Sequence, residues 1–96
     1  MFDARRFHIK TGKGSCIVKD KKVLNFYLLS EEEVSEVEKI APLLSELPAS
    51  IDLCYLETEK FKFGALRFKD QFVVFPVRTG SITEIIQMRS VVQNEG

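Results

Sequence analysis

The sequence predicts an α+β fold, with an antiparallel five-stranded sheet and helices packed on its faces. Five short runs are rich in β-branched and aromatic residues, as strands are, and short polar or charged stretches separate them. Two further segments begin with a serine followed three residues later by glutamate, a pattern typical of helix N-termini. In chain order the elements read ββ-α-βββ-α.

The first two strands form a predicted hairpin over residues 15–18 and 23–29. Asp20, Lys21 and Lys22 separate the two runs. Because this turn has no glycine, we expect a loop of three to five residues and not a tight two-residue turn.

The first helix is predicted to begin at Ser30. Ser30 and Glu33 form a capping box, in which each side chain binds the other residue's backbone N–H. Apolar residues then recur at steps of three and four as far as Leu47, which makes one apolar stripe. Pro42 interrupts the stripe, so we expect a kink or a restart of the helix near residues 40–42.

Three strands follow over residues 51–56, 61–68 and 72–77. In the second strand the apolar alternation changes phase near Gly64, which predicts a β-bulge there. The third strand is continuously apolar and is therefore expected to lie at the centre of the sheet. Its regular pairing should end or bulge at Pro76, which has no N–H to donate.

The last helix is predicted from a second capping box, Ser81 to Glu84, and from Ile82, Ile85, Ile86 and Val92 on one face. The sequence leaves the conformation of residues 1–13 open. The 96 residues fit a single domain, residues 1–96, since one core usually serves about 100–150 residues.

Few residues are candidates for catalysis, metal binding or phosphate binding. His8 has no acid or nucleophile at a recognisable spacing, and Cys16 and Cys54 fall inside predicted strands. Residues 12–15 lack the spacing of a phosphate-binding loop, and consecutive glutamates at 31–33 point in different directions around a helix. We therefore expect no catalytic residue, no cofactor, no metal site and no enzymatic activity.

The charge is distributed unevenly although the net charge is zero. Residues 1–22 carry +5, residues 23–60 carry −7 and the remainder carries +2. The longest apolar run has six residues, far short of the roughly 20 of a membrane-spanning helix. We expect a cytoplasmic protein without a membrane span. One alternative function is a small nucleic-acid or anionic-ligand binder that uses the basic residues Arg5, Arg6, Lys10, Lys13 and Lys22.

Residues 14–93 resemble a known family in the order of their predicted elements and in the residue types of several segments. The resemblance rests on the first strand running into its charged turn at residues 14–20, and on the meander segments 53–57, 63–66 and 72–77. The closing helix at residues 81–86 is also similar. These segments resemble the roadblock/dynein light-chain family, whose pattern is helix, hairpin, helix, three-strand meander, helix. The sequence departs from it at Lys21, where the family usually has glycine, at Pro42, and in a short segment before Gly14. A leading helix would be truncated, missing or replaced by a strand through residues 7–10.

The resemblance implies a non-enzymatic homodimer that regulates or anchors a small Ras-like GTPase, or that joins a motor or scaffold complex. The sheets of the two subunits would join edge to edge at residues 51–56. The helix spanning residues 33–47 of each subunit would pair with its counterpart on one face. The wide apolar face of the helix and the short, uncharged edge after Asp52 agree with such an interface. The expected interface residues are Val34, Val37, Ile40, Ala41, Leu44, Ile51, Leu53 and Tyr55. A profilin-like or longin-like arrangement of a sheet with helices on both faces remains an alternative architecture, and it too would be an interaction domain.

Overall fold

The computed structural model describes residues 2–78 and 82–94. Within these residues the elements are α1 (Ala4–Thr11), β1 (Ser15–Lys19), β2 (Lys22–Tyr27), α2 (Glu31–Ser45), β3 (Leu53–Glu57), β4 (Lys62–Phe68), β5 (Gln71–Pro76) and α3 (Thr83–Gln93). The predicted α+β fold is confirmed, and one helix precedes the predicted order of elements.

The five strands form one antiparallel sheet in the order β2-β1-β5-β4-β3. β5 is therefore the central strand, as its continuous apolarity predicts, and it ends at Pro76. β2 and β3 are the two edges, so the sheet places the first hairpin and the start of the meander at opposite sides.

Helices cover both faces of this sheet. On one face, Phe7 of α1 and Ile85 of α3 share a buried cluster with Phe75 of β5. On the other face, Val37 and Leu44 belong to the cluster that α2 closes. Burial of apolar surface on both faces is the main force that holds such a layered domain together.

Helix α1 fills the segment that the sequence left open. Asp3 caps its start by accepting the Arg6 N–H at 2.9 Å, and Gly12 ends it in the left-handed conformation with φ 77°. Ala4 and Phe7 are buried against the sheet. Of the three conformations expected for this segment, the structure has the truncated helix, eight residues long.

The β1–β2 turn differs from the expected longer loop. Lys19 pairs with Lys22, and the two residues between them, Asp20 and Lys21, have φ values of 51° and 70°. Positive φ at both central positions is the feature of a tight mirror-image turn. The Lys21 N–H donates to the Ser45 hydroxyl of α2 at 2.8 Å, so a contact from outside the hairpin stabilises a conformation that lysine disfavours.

Helix α2 begins as predicted and does not restart. Ser30 donates its N–H to Glu33 at 2.8 Å, and the Ser30 hydroxyl accepts the Glu33 N–H at 3.1 Å, so the capping box is confirmed. The helix continues through Pro42 to Ser45. Buried side chains on both sides of the proline, Ala41 and Leu44, attach the last turn to the sheet and offset the missing hydrogen bond.

The predicted bulge at Gly64 is wrong. β4 pairs in unbroken register with both β3 and β5. Phe63 and Ala65 face the α2 side while Leu66 and Phe68 face the other helices, so the apparent change of phase arises because both faces of β4 are covered. The sheet's irregularity lies instead between β1 and β2, where the register shifts between Ile17 and Val18.

Helix α3 begins at Thr83. Ser81 of the predicted second capping box lies outside the described residues, and Ile82 at the N-cap position makes no side-chain cap bond. Glu84 binds elsewhere: its carboxylate accepts the Arg78 N–H at 3.1 Å and the Lys13 ammonium. The bond from Lys13 attaches the start of α3 to the segment between α1 and β1, and the bond from Arg78 attaches it to the residues that follow β5.

Candidate functional site

Strand β3 is a sheet edge without a neighbour on its outer side in residues 2–78 and 82–94. Four of its five residues are half-buried and Glu57 is exposed. Leu53 and Tyr55 pack at the α1/α3 face, whereas Cys54 and Leu56 pack at the α2 face. The strand therefore presents partly exposed apolar side chains on both faces beside a row of backbone groups that could accept another strand.

Arg67 of β4 fixes the segment that leads into this edge. Its Nε donates to the Ile51 carbonyl at 2.9 Å, and its Nη2 approaches the carbonyls of Leu47 and Pro48 at 3.4 and 3.2 Å. The guanidinium also lies 4.4 Å from the centroid of the Phe72 ring, a cation–π distance. The connection from α2 to β3 is thus held by one side chain from the neighbouring strand.

Asp52 supplies a second attachment at the same place. Its carbonyl accepts the Arg67 N–H at 2.8 Å, which extends the β3–β4 ladder by one bond. Its carboxylate pairs with Arg89 of α3 at 3.1 Å. Neither arginine was singled out from the sequence, although an arginine that follows the apolar run at residues 63–66 is a visible signal.

The eight expected interface residues divide into two groups in the structure. Val34, Val37, Ala41 and Leu44 are buried, the last three completely, in the core that α2 forms with its own sheet. Ile40, Leu53 and Tyr55 are half-buried and Ile51 is exposed, so these four retain surface that a partner could contact. Leu43 belongs to the same wide apolar face but is not among the expected interface residues, and it is 61% exposed on α2.

The apolar face of α2 is consequently less available than its width suggests. α2 packs against β1 and β2, and its cluster also includes residues of β4 and β5. The wide face of the chain's own sheet covers most of the apolar stripe, part of which was expected to contact a partner. Among the apolar residues of α2, Ile40 is half-buried and Leu43 is exposed, so these two keep most of the apolar surface that the helix leaves for contacts outside the chain.

The cysteine thiols lie in environments that suppress reactivity. Burial, with a smaller effect of Glu33, raises the pKa of Cys16 to about 12. Burial also raises the pKa of Cys54, and the nearby Arg67 partly opposes this. Since the thiolate is the reactive form, the completely buried Cys16 behaves as a small apolar residue at neutral pH, whereas the partly buried Cys54 reacts more slowly than an exposed thiol.

His8 packs with its ring centroid 5.2 Å from that of Tyr27. Its Nδ1 is buried and has no hydrogen-bond partner among the described residues. Within the same part of the chain, no three side chains of histidine, cysteine, aspartate or glutamate come together in a way that could hold a metal ion.

The basic residues of the N-terminal block occupy several elements. Lys13 follows α1 and its ammonium is bound to Glu84, while Lys22 opens β2 beside the hairpin turn. The hydrogen bond from Lys13 holds the pKa of Glu84 below its ordinary value; burial opposes this, and the Arg78 N–H assists it. Lys13, which was considered for nucleic-acid binding, is therefore already paired with a carboxylate.

Among the helices of the described ranges, 2–78 and 82–94, there is none with the length and apolarity needed to cross a membrane.

Comparisons with known proteins give one informative match. No family model matches the chain. Over 71 residues the chain is 38% identical to an uncharacterized protein of the archaeon Archaeoglobus fulgidus, and the match covers 74% of this chain and 72% of that protein. Identity at this level over most of both chains reflects common descent. The chain belongs to the same protein family as this archaeal protein.

Proposed function

We propose that the chain is a non-enzymatic module that forms a homodimer through β3 and, as a dimer, regulates or anchors a small Ras-like GTPase or a related protein. The observation that carries the proposal is the state of β3. It is an edge strand with half-buried apolar residues on both faces and neither lysine nor proline in its length.

Edge strands that stay unpaired usually carry features that discourage pairing, such as lysine, proline or a bulge. β2, at the other edge, has two of these features, because it contains Lys22 and a register shift. β3 has a regular register with β4 from Leu53 to Glu57. The contrast favours β3 as the edge where a second copy would add its own β3.

The element order supports the link to the roadblock-like family that the sequence resembles. With α1 present, the chain has the order helix, hairpin, helix, three-strand meander, helix. The surface available to the dimer is narrower than the resemblance implies. It consists of Ile51, Leu53 and Tyr55 on the strand side and Ile40 on α2, together with Leu43.

Light scattering during gel filtration at about 50 µM, where dimers of ordinary affinity are populated, tests the dimer. We expect the mass of two chains for the wild type and of one chain for Leu53→Lys. Leu24→Lys is the matched control, because Leu24 is exposed at the opposite edge. A wild-type mass of one chain, or an unchanged mass for a folded Leu53→Lys protein, would refute the β3 dimer.

Because Leu53 also contacts the core, the substituted protein could unfold. A second measurement avoids this problem: a short bifunctional maleimide should join two wild-type chains through Cys54, which lies in the middle of the proposed contact. Cys54→Ser should abolish the cross-link, since Cys16 is completely buried.

The GTPase part is tested separately with a purified small Ras-like GTPase of the same organism, loaded with GDP or with a non-hydrolysable GTP analogue. We expect calorimetry to show binding of one nucleotide state in preference to the other. Absence of binding in both states would remove the GTPase assignment and would leave the dimer untouched.

A further inference from the structure

A groove lies between β2 and α2, at the sheet edge opposite to β3. Its volume is about 620 Å³, within the range of about 300–1,000 Å³ typical of ligand sites. The groove is lined by Leu24 and Phe26 of β2, by Val34 and Glu38 of α2, and by Lys21 and Lys22 at the hairpin turn. Nothing in the proposed dimer uses these residues.

The apolar part of the groove is open to solvent. Leu24 and Phe26 are each 56% exposed, although they are large apolar residues. Phe26 pairs regularly with Cys16, whereas Leu24 is the extra residue at the register shift of β2, and both side chains line the groove. An extended segment could place apolar side chains against both and against Val34.

The charges of the groove are ordered along its length. Ser45 of α2 binds the hairpin turn, so α2 runs back along β2 from its start near the end of that strand. Lys21 and Lys22 therefore mark one end of the groove, Val34 lies toward the other end, and Glu38 lies between them, one helical turn from Val34.

Among the described residues some lysines form ion pairs, whereas Lys21 and Lys22, like Lys62 and Lys69, do not. Lys13, Lys19, Lys39 and Lys60 each pair with a carboxylate. The groove thus offers two unpaired positive charges at one end, which an acidic group of a ligand could neutralise.

The geometry excludes a long strand as occupant. The register shift at Leu24 interrupts the edge within β2, and Leu28, just after the strand, has a φ of 55°. Regular pairing is possible only over a few residues near Phe26. A second copy of β2 would need a longer regular edge, so a short peptide segment fits better than another sheet.

We propose that this groove binds a short extended peptide segment of a partner protein, with alternating apolar residues along β2 and acidic residues beside Lys21 and Lys22. The segment would lie antiparallel to β2, with its C-terminal end at the hairpin turn, in keeping with the antiparallel order of the sheet. β2 and β3 are opposite edges, so the site does not depend on the β3 dimer.

The probe is a synthetic peptide of about eight residues, blocked at both ends, in which leucine and threonine alternate before two C-terminal aspartates. A peptide with two lysines in place of the aspartates is the control. Titration followed by ¹⁵N–¹H spectra should give the largest shifts at residues 21–26 and at Val34 and Glu38 for the acidic peptide.

Charge variants give the sharper result. In the double variant Lys21→Glu and Lys22→Glu, the affinity for the acidic peptide should fall about tenfold. The affinity for the lysine peptide should rise. Glu38→Gln should raise the affinity for the acidic peptide about twofold to threefold, because it removes a negative charge from the groove. These positions are exposed, so the variants should remain folded.

Equal binding of the two peptides, shifts outside the groove, or no binding of the acidic peptide at millimolar concentration would refute the proposal. The same titration with Leu53→Lys separates the two proposals, since a protein without the β3 contact should still bind the acidic peptide through β2.

Discussion

Gly64 of β4 lies directly against Ile85 of α3, with no room for a side chain between them. A Cβ atom built on Gly64 would stand 2.7 Å from Cγ1 of Ile85 and 3.1 Å from the Phe75 ring. Nonbonded carbon atoms do not approach as closely as 2.7 Å. The packing of α3 on the sheet therefore requires glycine at position 64. Because Ile85 is completely buried, it cannot move aside into solvent.

Gly64→Ala should lower the free energy of unfolding by about 1–3 kcal/mol, the usual effect of an overpacked core. Urea unfolding measures the change. In the background of Ile85→Ala, which removes both Cγ atoms, the same substitution should have a much smaller effect. Strict additivity of the two changes would contradict the close contact.

The fold was predictable where local sequence and tertiary structure agree. The strands and the Ser30 cap depend on residue type and spacing, and both were found. The Asp20–Lys21 turn was not predictable, because a lysine at positive φ is stabilised by Ser45, 24 residues away. The alternation in β4 was misleading since burial on both faces imitates a change of phase.

The candidate site was predictable only in part. Whether residues 53–57 form an edge depends on the order of all five strands in the sheet, which spacing alone does not give. The resemblance implied only that the first meander strand lies at an edge. Val37 and Ala41, expected at the interface, are completely buried for a related reason. A helical apolar stripe does not reveal how much of it the chain's own sheet covers.

Arg67 should stabilise the entry to β3 through its bonds to three carbonyl groups. Arg67→Met keeps an apolar stem but removes the donors, and it should lower the free energy of unfolding by about 2 kcal/mol. Arg67→Lys should recover little of this, because one ammonium cannot reproduce the planar set of donors. Chemical denaturation provides the measurement.

Arg89→Met is the control for Arg67. Arg89 pairs with Asp52 in a largely exposed position, so its loss should change the free energy of unfolding by less than about 1 kcal/mol. If the two methionine variants are equally stable, the role assigned to Arg67 is wrong.

Stability should depend on pH through Glu84. Its pKa in the folded chain lies below the ordinary value of 4.5, so the ionised carboxylate stabilises the fold fully above that value and loses its effect as the pH falls through the folded pKa. Relative to Glu84→Gln, the wild type should be more stable at pH 7, and the difference should close in acid. A gap between the urea midpoints that is independent of pH would contradict the Lys13–Glu84 contact.

Cys54 should be alkylated faster than Cys16 in the folded protein. Cys54 is only partly buried, whereas Cys16 is completely buried with a pKa of about 12. Mass spectrometry after iodoacetamide treatment should show one modified site, and its rate should rise with pH because the pKa of Cys54 is also raised. First modification at Cys16 would contradict the placement of β1.

Hydrogen exchange measured at several protein concentrations tests the dimer most directly, because it reads the backbone groups of each edge without any substitution. On concentration from about 1 µM to about 1 mM, a range that spans ordinary dimer affinities, the outward amides of Leu53–Glu57 should become strongly protected while those of Lys22–Tyr27 should not. Exchange at β3 that is equally fast at every concentration, or protection that develops at β2 alone, would contradict the account.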